Sequence, residues 1–271
     1  MSDTTTAGSA AAERTPLIAG NWKMNLDHLQ AIAFVQKLAW GLKDVRHNFG
    51  DVEVAVFPPF TDLRSVQTLV MADKLSLVLG AQDVSEHDSG AYTGDVSAAM
   101  LKKLETKYVL VGHSERRAGH GESDELVGRK ARAAAANGIV PVICVGETAA
   151  DLEEHGAMAI PVRQLSAALA ELPADAEIVV AYEPVWAIGS GDPATPEQAE
   201  EVARALRELL REQRGDEAAD TTRILYGGSV TSQNVASYLR QPNLDGALVG
   251  GASLKVDEFA RIAQFMKHVT V

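Results

Sequence analysis

A carboxylate at the end of a short apolar run is the first chemically promising feature of this chain. Ile178-Val179-Val180-Ala181 reads as a buried strand, and Glu183 stands where it ends. Pro184, Val185, Trp186, Ala187 and Ile188 follow, then Gly189-Ser190-Gly191. Loops are ordinarily polar and wet, so an apolar segment between a stiff proline and flexible glycines has two readings. One is a lid, hinged at Pro184 and at Gly189 to Gly191, that closes over Glu183 and expels water. The other is a loop tucked against the core by its tryptophan, because half-buried tryptophan is common.

Other apolar runs also end in reactive groups. Asn21 and Lys23 follow the first, and Gln82 and Asp83 follow the third. Gly112-His113-Ser114-Glu115-Arg116-Arg117 follows the fourth. Gly227-Gly228-Ser229 and Gly250-Gly251 follow the seventh and eighth. Glycines let a backbone approach a ligand, and N–H groups at helix starts attract anions. Two tight turns would also use glycine, but at adjacent strand ends a phosphate cradle is the better account. The first cradle is expected to lead into a helix near Ser232.

A lone histidine is more often structural than catalytic. His113 differs from His28, His47, His87, His120, His155 and His268 because a dense charged cluster follows it beside a buried strand. Ser114 lacks the G-x-S-x-G nucleophile elbow. Cys144, at the end of a buried run, reads as core packing, and no metal-ligand spacing of His or Cys occurs. A carboxylate base, a lysine, a histidine, an asparagine, an anion cradle and an apolar lid together suit one chemistry. It is proton abstraction next to a carbonyl on a small phosphorylated substrate. A base alone contributes about 10²–10⁴-fold; stabilising the enolate-like oxygen in a dry site is the larger need.

These groups need a scaffold that gathers strand ends. The apolar runs start at Leu17, Val52, Leu77, Tyr108, Val140, Ile178, Ile224 and Ala247, eight in all. Helical spacing lies between them, as at Leu29, Ile32, Ala33, Val35 and Leu38, and at Val202, Ala205, Leu206, Leu209 and Leu210. Ser123-Asp124-Glu125 opens a helix running to Ala136, and Thr195-Pro196-Glu197 opens another. Eight strand–helix units with near-continuous apolar strands point to an α/β fold, a closed (β/α)₈ barrel in one domain over 16–271. A doubly wound open sheet would expect a glycine-rich loop after the first strand, where Ala19-Gly20-Asn21-Trp22-Lys23 stands instead. Residues 1–15, rich in Ser, Thr and Ala, read as a flexible tail outside the fold.

Composition narrows the partners. The chain has 271 residues, 46% hydrophobic and 23% charged, with a formal net charge of −12. That balance argues against nucleic acid or an anionic membrane, so local groups must attract any anionic ligand. The single cysteine precludes an intramolecular disulfide and suggests a reducing compartment. No apolar run approaches the ~20 residues that span a bilayer.

Several segments resemble the triosephosphate isomerase family closely. They are Ala19 to Asn25, Val111 to Arg117, Cys144 to Glu147, Ala181 to Gly189, Tyr226 to Val230 and Val249 to Leu254, in order at most strand ends from about Pro16 to Val269. The resemblance implies a barrel enzyme, a cytoplasmic isomerase of glycolysis and gluconeogenesis, that interconverts dihydroxyacetone phosphate and glyceraldehyde 3-phosphate through an enediolate. It assigns Glu183 as the base and neutral His113 as the electrophile. Lys23 is then the local positive charge, Asn21 a donor to the oxygen, and Glu115 the group that positions Lys23. Phosphate would bind at the backbone N–H groups of Gly189, Ser229, Gly250 and Gly251, with no metal or organic cofactor.

The resemblance also implies a homodimer in which the loop Gln82 to Asp95, with Thr93 near its tip, inserts into the partner. Departures from the pattern are Asp83 for asparagine, Asp95 for glutamate, Ser190 for threonine and His120 for an aromatic. None falls on the implied base, electrophile or phosphate groups. The competing readings are another phosphate-binding barrel, such as an aldolase, and a catalytically silent scaffold on the same fold. Loss of Lys23, His113 or Glu183 would favour the scaffold, and all three are present.

Overall fold

A computed structural model describes residues 14–188 and 193–267. Eight parallel strands form a closed barrel in sequence order. They are β1 (Leu17–Asn21), β2 (Glu53–Phe57), β3 (Val78–Ala81), β4 (Tyr108–Val111), β5 (Val140–Val145), β6 (Val179–Tyr182), β7 (Arg223–Tyr226) and β8 (Gly246–Val249). Closure is carried by β1 against β8, with Ala19 opposite Leu248.

The strands are apolar on both faces because both faces are dry. Leu17, Ala19, Ala55, Phe57, Leu110, Val142, Cys144, Ala181 and Leu225 fill the barrel interior. The alternating residues, such as Ile18, Val54, Val109 and Val180, pack outward against the helical ring. This burial on two sides explains why the strands read as runs and not as alternations. Cys144 belongs to the inner layer, and burial pushes its thiol up and leaves it protonated, as core packing requires.

The helices start where their caps are. Helix Asp124–Ala136 is capped by Ser123 Oγ on Leu126 N–H, and Gly138 then leaves it at positive φ. Helix Pro196–Arg214 carries a reciprocal box: Thr195 Oγ1 accepts Gln198 N–H at 3.2 Å, and Gln198 Oε1 accepts Thr195 N–H at 2.8 Å. Helix His28–Asp44 buries Ala31, Phe34, Val35, Leu38 and Leu42, whereas Leu29, counted by spacing, is exposed.

Two expectations are revised. The helix after β7 begins at Val235 and not near Ser232. Ser232 is held by the distant Glu258 carboxylate through its N–H and hydroxyl, and Asn234 Oδ1 accepts Thr231 N–H, so side-chain bonds, one of them local, delay the helix. Contacts with the body also begin before Pro16. Arg14 pairs with Asp245 at 2.6 Å and donates to the carbonyls of Asp220 and Pro242. Most of the expected tail, the hinge Gly189 to Gly191 and His268 lie outside the described residues.

The floor of the barrel is closed by polar groups. Glu53 accepts from Lys107, Tyr108 and Arg223, and Arg223 donates to Tyr108 at 2.6 Å. Burial opposes the charge on Glu53, but these partners hold its carboxyl below the usual range. The open end is therefore the opposite one, where the strands finish. Thr195→Ala should cost about 1 kcal/mol of stability and Thr195→Ser far less, read by urea denaturation.

Candidate active site

The C-terminal ends of β1, β4, β6, β7 and β8 surround a cavity of about 510 Å³. Asn21, Lys23, His113, Glu183, Ser229, Gly250 and Gly251 all line it. So do Ile188, Leu248 and Lys255. Residues spread over most of the chain thus share one chamber. Glu115 is not part of its wall. It lies outside, exposed, with Oε1 2.7 Å from Lys23 Nζ. Gly189 lies outside the described residues.

Glu183 follows β6 directly and is 2% exposed. Its Oε1 lies 2.9 Å from His113 Nε2, and its Oε2 accepts the Ser114 N–H at 2.9 Å. Burial pushes this carboxyl up, but the histidine, the Ser114 N–H and Lys23 outweigh it and hold the group below the usual carboxylate range. Two glycines leave room for it. A Cβ on Gly227 would stand 2.8 Å from Glu183 Cγ, and one on Gly146 would stand 1.7 Å from the Glu183 carbonyl oxygen.

His113 caps helix Ser114–His120, with Nδ1 accepting the Glu115 N–H at 3.2 Å. A ring nitrogen that accepts an N–H carries no proton. The bond pattern therefore assigns the proton to Nε2, where it faces Glu183. Burial works against a charged ring, while the Glu183 carboxylate pushes its pKa up. The helix N-terminus at Nδ1 acts against that push by requiring a bare nitrogen. The balance raises the His113 pKa above the usual histidine value, and the geometry aims an Nε2–H donor at the carboxylate.

Lys23 has a left-handed backbone, φ 54°. Three bonds hold that conformation. Lys23 N–H donates to Asn21 Oδ1 at 2.9 Å, while Gln82 Nε2 donates to the Lys23 carbonyl and to the Phe57 carbonyl, both at 2.8 Å. With Oδ1 occupied, Asn21 keeps its amide N–H₂ as a donor. Gly250 lies beside the lysine stem, where a Cβ would be 3.4 Å from Lys23 Cε. The ammonium and the glycine cradle are therefore neighbours, and they supply positive potential that a chain of net charge −12 lacks.

The start of the apolar loop is tied down. Val185–Ala187 forms a 3₁₀ turn. Trp186 is half-buried, and its Nε1 donates to Glu147 Oε1 at 2.6 Å. The Tyr182 hydroxyl donates to the same oxygen at 2.9 Å. Burial pushes the Glu147 carboxyl up against those donors. Sequence reasoning noted Gln82 and Glu147 at strand ends but gave them no work. Only the fold shows which backbone each one holds, although a carboxylate two residues past a buried strand was a usable signal for Glu147. No other described histidine lines the cavity, and no group of metal-ligating side chains occurs among the described residues.

Linkage gives a pH test of the pair. A carboxyl depressed in the folded state contributes stability that is present above its unfolded value, about 4.3, and is lost as pH falls through the folded value. The difference in unfolding free energy between the parent protein and Glu183→Gln should therefore narrow as pH falls below about 4, read by urea titration at several pH values.

The arrangement has counterparts among known proteins. The family model described as "Triosephosphate isomerase" matches residues 16–266. A protein of Leifsonia xyli named triosephosphate isomerase is 68% identical over 256 residues, covering 94% of this chain and 99% of its own. Proteins of the same name from Corynebacterium glutamicum and Streptomyces avermitilis are 57% and 55% identical over 252 and 254 residues. The first covers 92% of this chain and 96% of its own, the second 93% and 98%.

Proposed function

Because the chain belongs to the triosephosphate isomerase family, we propose that it interconverts dihydroxyacetone phosphate and D-glyceraldehyde 3-phosphate at the cavity above the barrel. The observation that carries the reading is the buried Glu183 carboxylate, held below the usual carboxylate range 2.9 Å from His113 Nε2, in a chamber shared with Lys23 and the glycine cradle.

The substrate phosphate enters the cradle of Ser229, Gly250 and Gly251, with Gly189 as a further N–H by resemblance. The carbonyl then meets His113 Nε2–H, the Asn21 amide and the Lys23 ammonium. Glu183 leaves the Ser114 N–H and takes a proton from the carbon beside the carbonyl. The C–H electron pair becomes the new C=C bond, and the carbonyl oxygen becomes the enediolate oxygen that the donors stabilise. His113 moves a proton between the two oxygens. Glu183 returns its proton to the neighbouring carbon, which completes the isomerisation without net oxidation. Closure of the segment from Pro184 to Gly191 dries the site and protects the enediolate from losing phosphate. Glu115 acts through Lys23, which it holds.

We assign this chemistry to glycolysis and gluconeogenesis, and we propose the cytoplasm as its location. The single cysteine fits a reducing compartment, and among the described residues no helix is long and apolar enough to cross a membrane. We also propose a homodimer. The loop between β3 and helix Ala98–Lys103 is braced at its base by Ser85 on Asp95 and by His87 stacked on Tyr92, while Thr93 stands exposed. A braced loop with an exposed tip suits insertion into a second copy. The silent-scaffold alternative has no observation in its favour.

Purified protein should isomerise glyceraldehyde 3-phosphate in a coupled assay. Glu183→Gln should lower kcat by about 10²–10⁴-fold, and parental activity in that variant would refute Glu183 as the base. Thr93→Arg should weaken both assembly, read by sedimentation velocity, and activity. A fully active, stable Thr93→Arg monomer would count against the dimer.

A further inference from the structure

The Val145–Gly146 peptide group lies directly behind the base. Its carbonyl, on Val145, accepts the Glu183 N–H at 2.7 Å. Its N–H, on Gly146, donates to Gln164 Oε1 at 2.8 Å. Gln164 projects from helix Ala159–Ala170 and is buried. One residue further on, the Glu147 carbonyl accepts the Val185 N–H at 3.0 Å. The absent side chain of Gly146 brings the two backbones into direct contact, since a Cβ there would stand 1.7 Å from the Glu183 carbonyl oxygen.

The backbone that carries the base therefore rests on one peptide group, and a glutamine from the outer helical ring sets the orientation of that group. Packing alone does not hold it. A cavity of about 270 Å³ adjoins the contact, lined by Gln164, Gly146, Val145, Glu183 and Val185. It leaves room for the peptide to tilt once the acceptor is gone. Loss of the acceptor leaves this part-buried N–H unpaired, which favours such a tilt.

We propose that Gln164 is a positioning residue for the base: its side-chain oxygen fixes the Val145–Gly146 peptide, and through it the place of the Glu183 carboxylate. Gln164 touches no reacting atom, and the inference rests on the role proposed for Glu183. Misplacing a catalytic group by about 1 Å costs on the order of 10²-fold in rate. Ser229, Gly250 and Gly251 follow β7 and β8, and among the described residues they make no bond to this peptide, so substrate binding should be spared.

The test compares three variants of the full chain. Gln164→Met keeps the length and removes the acceptor, Gln164→Glu keeps an acceptor, and Glu183→Gln is the reference. Gln164→Met should lower kcat about 10- to 100-fold while KM and competitive inhibition by inorganic phosphate stay close to parental. Gln164→Glu should recover most of kcat, and its added charge should move the acidic limb of kcat to higher pH. Parental kcat in Gln164→Met, or an equal loss in both Gln164 variants, overturns the inference while leaving the base assignment intact. Parental kcat in Glu183→Gln overturns the assignment and the inference with it. If Gln164→Met does not fold, Gln164→Glu decides alone, and a kcat loss of about 10-fold or more with the acceptor retained is the overturning result.

Discussion

An ionised carboxylate kept out of water must be neutralised by its surroundings, at a penalty of several kcal/mol if it is not. Glu183 meets that demand with two partners from one place, the β4 end: His113 Nε2 on one oxygen and the Ser114 N–H on the other. Each partner has its own requirement. The histidine keeps its proton on Nε2 because the start of its own helix occupies Nδ1. The Ser114 N–H is available because it lies in a helical first turn, where backbone donors have no intrahelical acceptor. The charge of Glu183 thus depends on where one short helix begins.

The barrel explains how such demands are met together. Parallel strands in a closed sheet all finish on the same side, so strand ends far apart in sequence converge on one chamber. Those ends differ in stiffness. Asn21 and Lys23 are locked by each other and by Gln82, whereas Glu183 is held through its carboxylate alone by His113 and the Ser114 N–H. Donors fixed in place beside a buried carboxylate are an arrangement suited to proton transfer. It is also compatible with the anionic substrate proposed for an acidic protein, because Lys23 and backbone N–H groups act at short range where the net charge does not.

The strands, the capped helices, the barrel and the chemical types at the strand ends were legible in the amino-acid sequence. Each follows from local patterning: apolar runs for strands buried on two faces, Thr195 and Ser123 for helix starts, glycine pairs for close backbone approach. Cys144 was legible as core for the same reason. The helix expected near Ser232 was displaced to Val235 because Ser232 bonds to Glu258, which lies beyond β8 and is invisible to a local pattern.

Only the tertiary structure decided which groups meet. His113 is separated from Glu183 by the whole of β5 and its helices, yet their side chains lie 2.9 Å apart. Gln82 reads as an ordinary polar residue until it is seen holding the Lys23 carbonyl, and Gln164 until it is seen behind Gly146. Hydrogen bonds act over about 3 Å, whereas sequence patterns report burial and local backbone preference. The kinds of residues at the site were therefore set by sequence, and their protonation, orientation and contacts by the closure of the barrel.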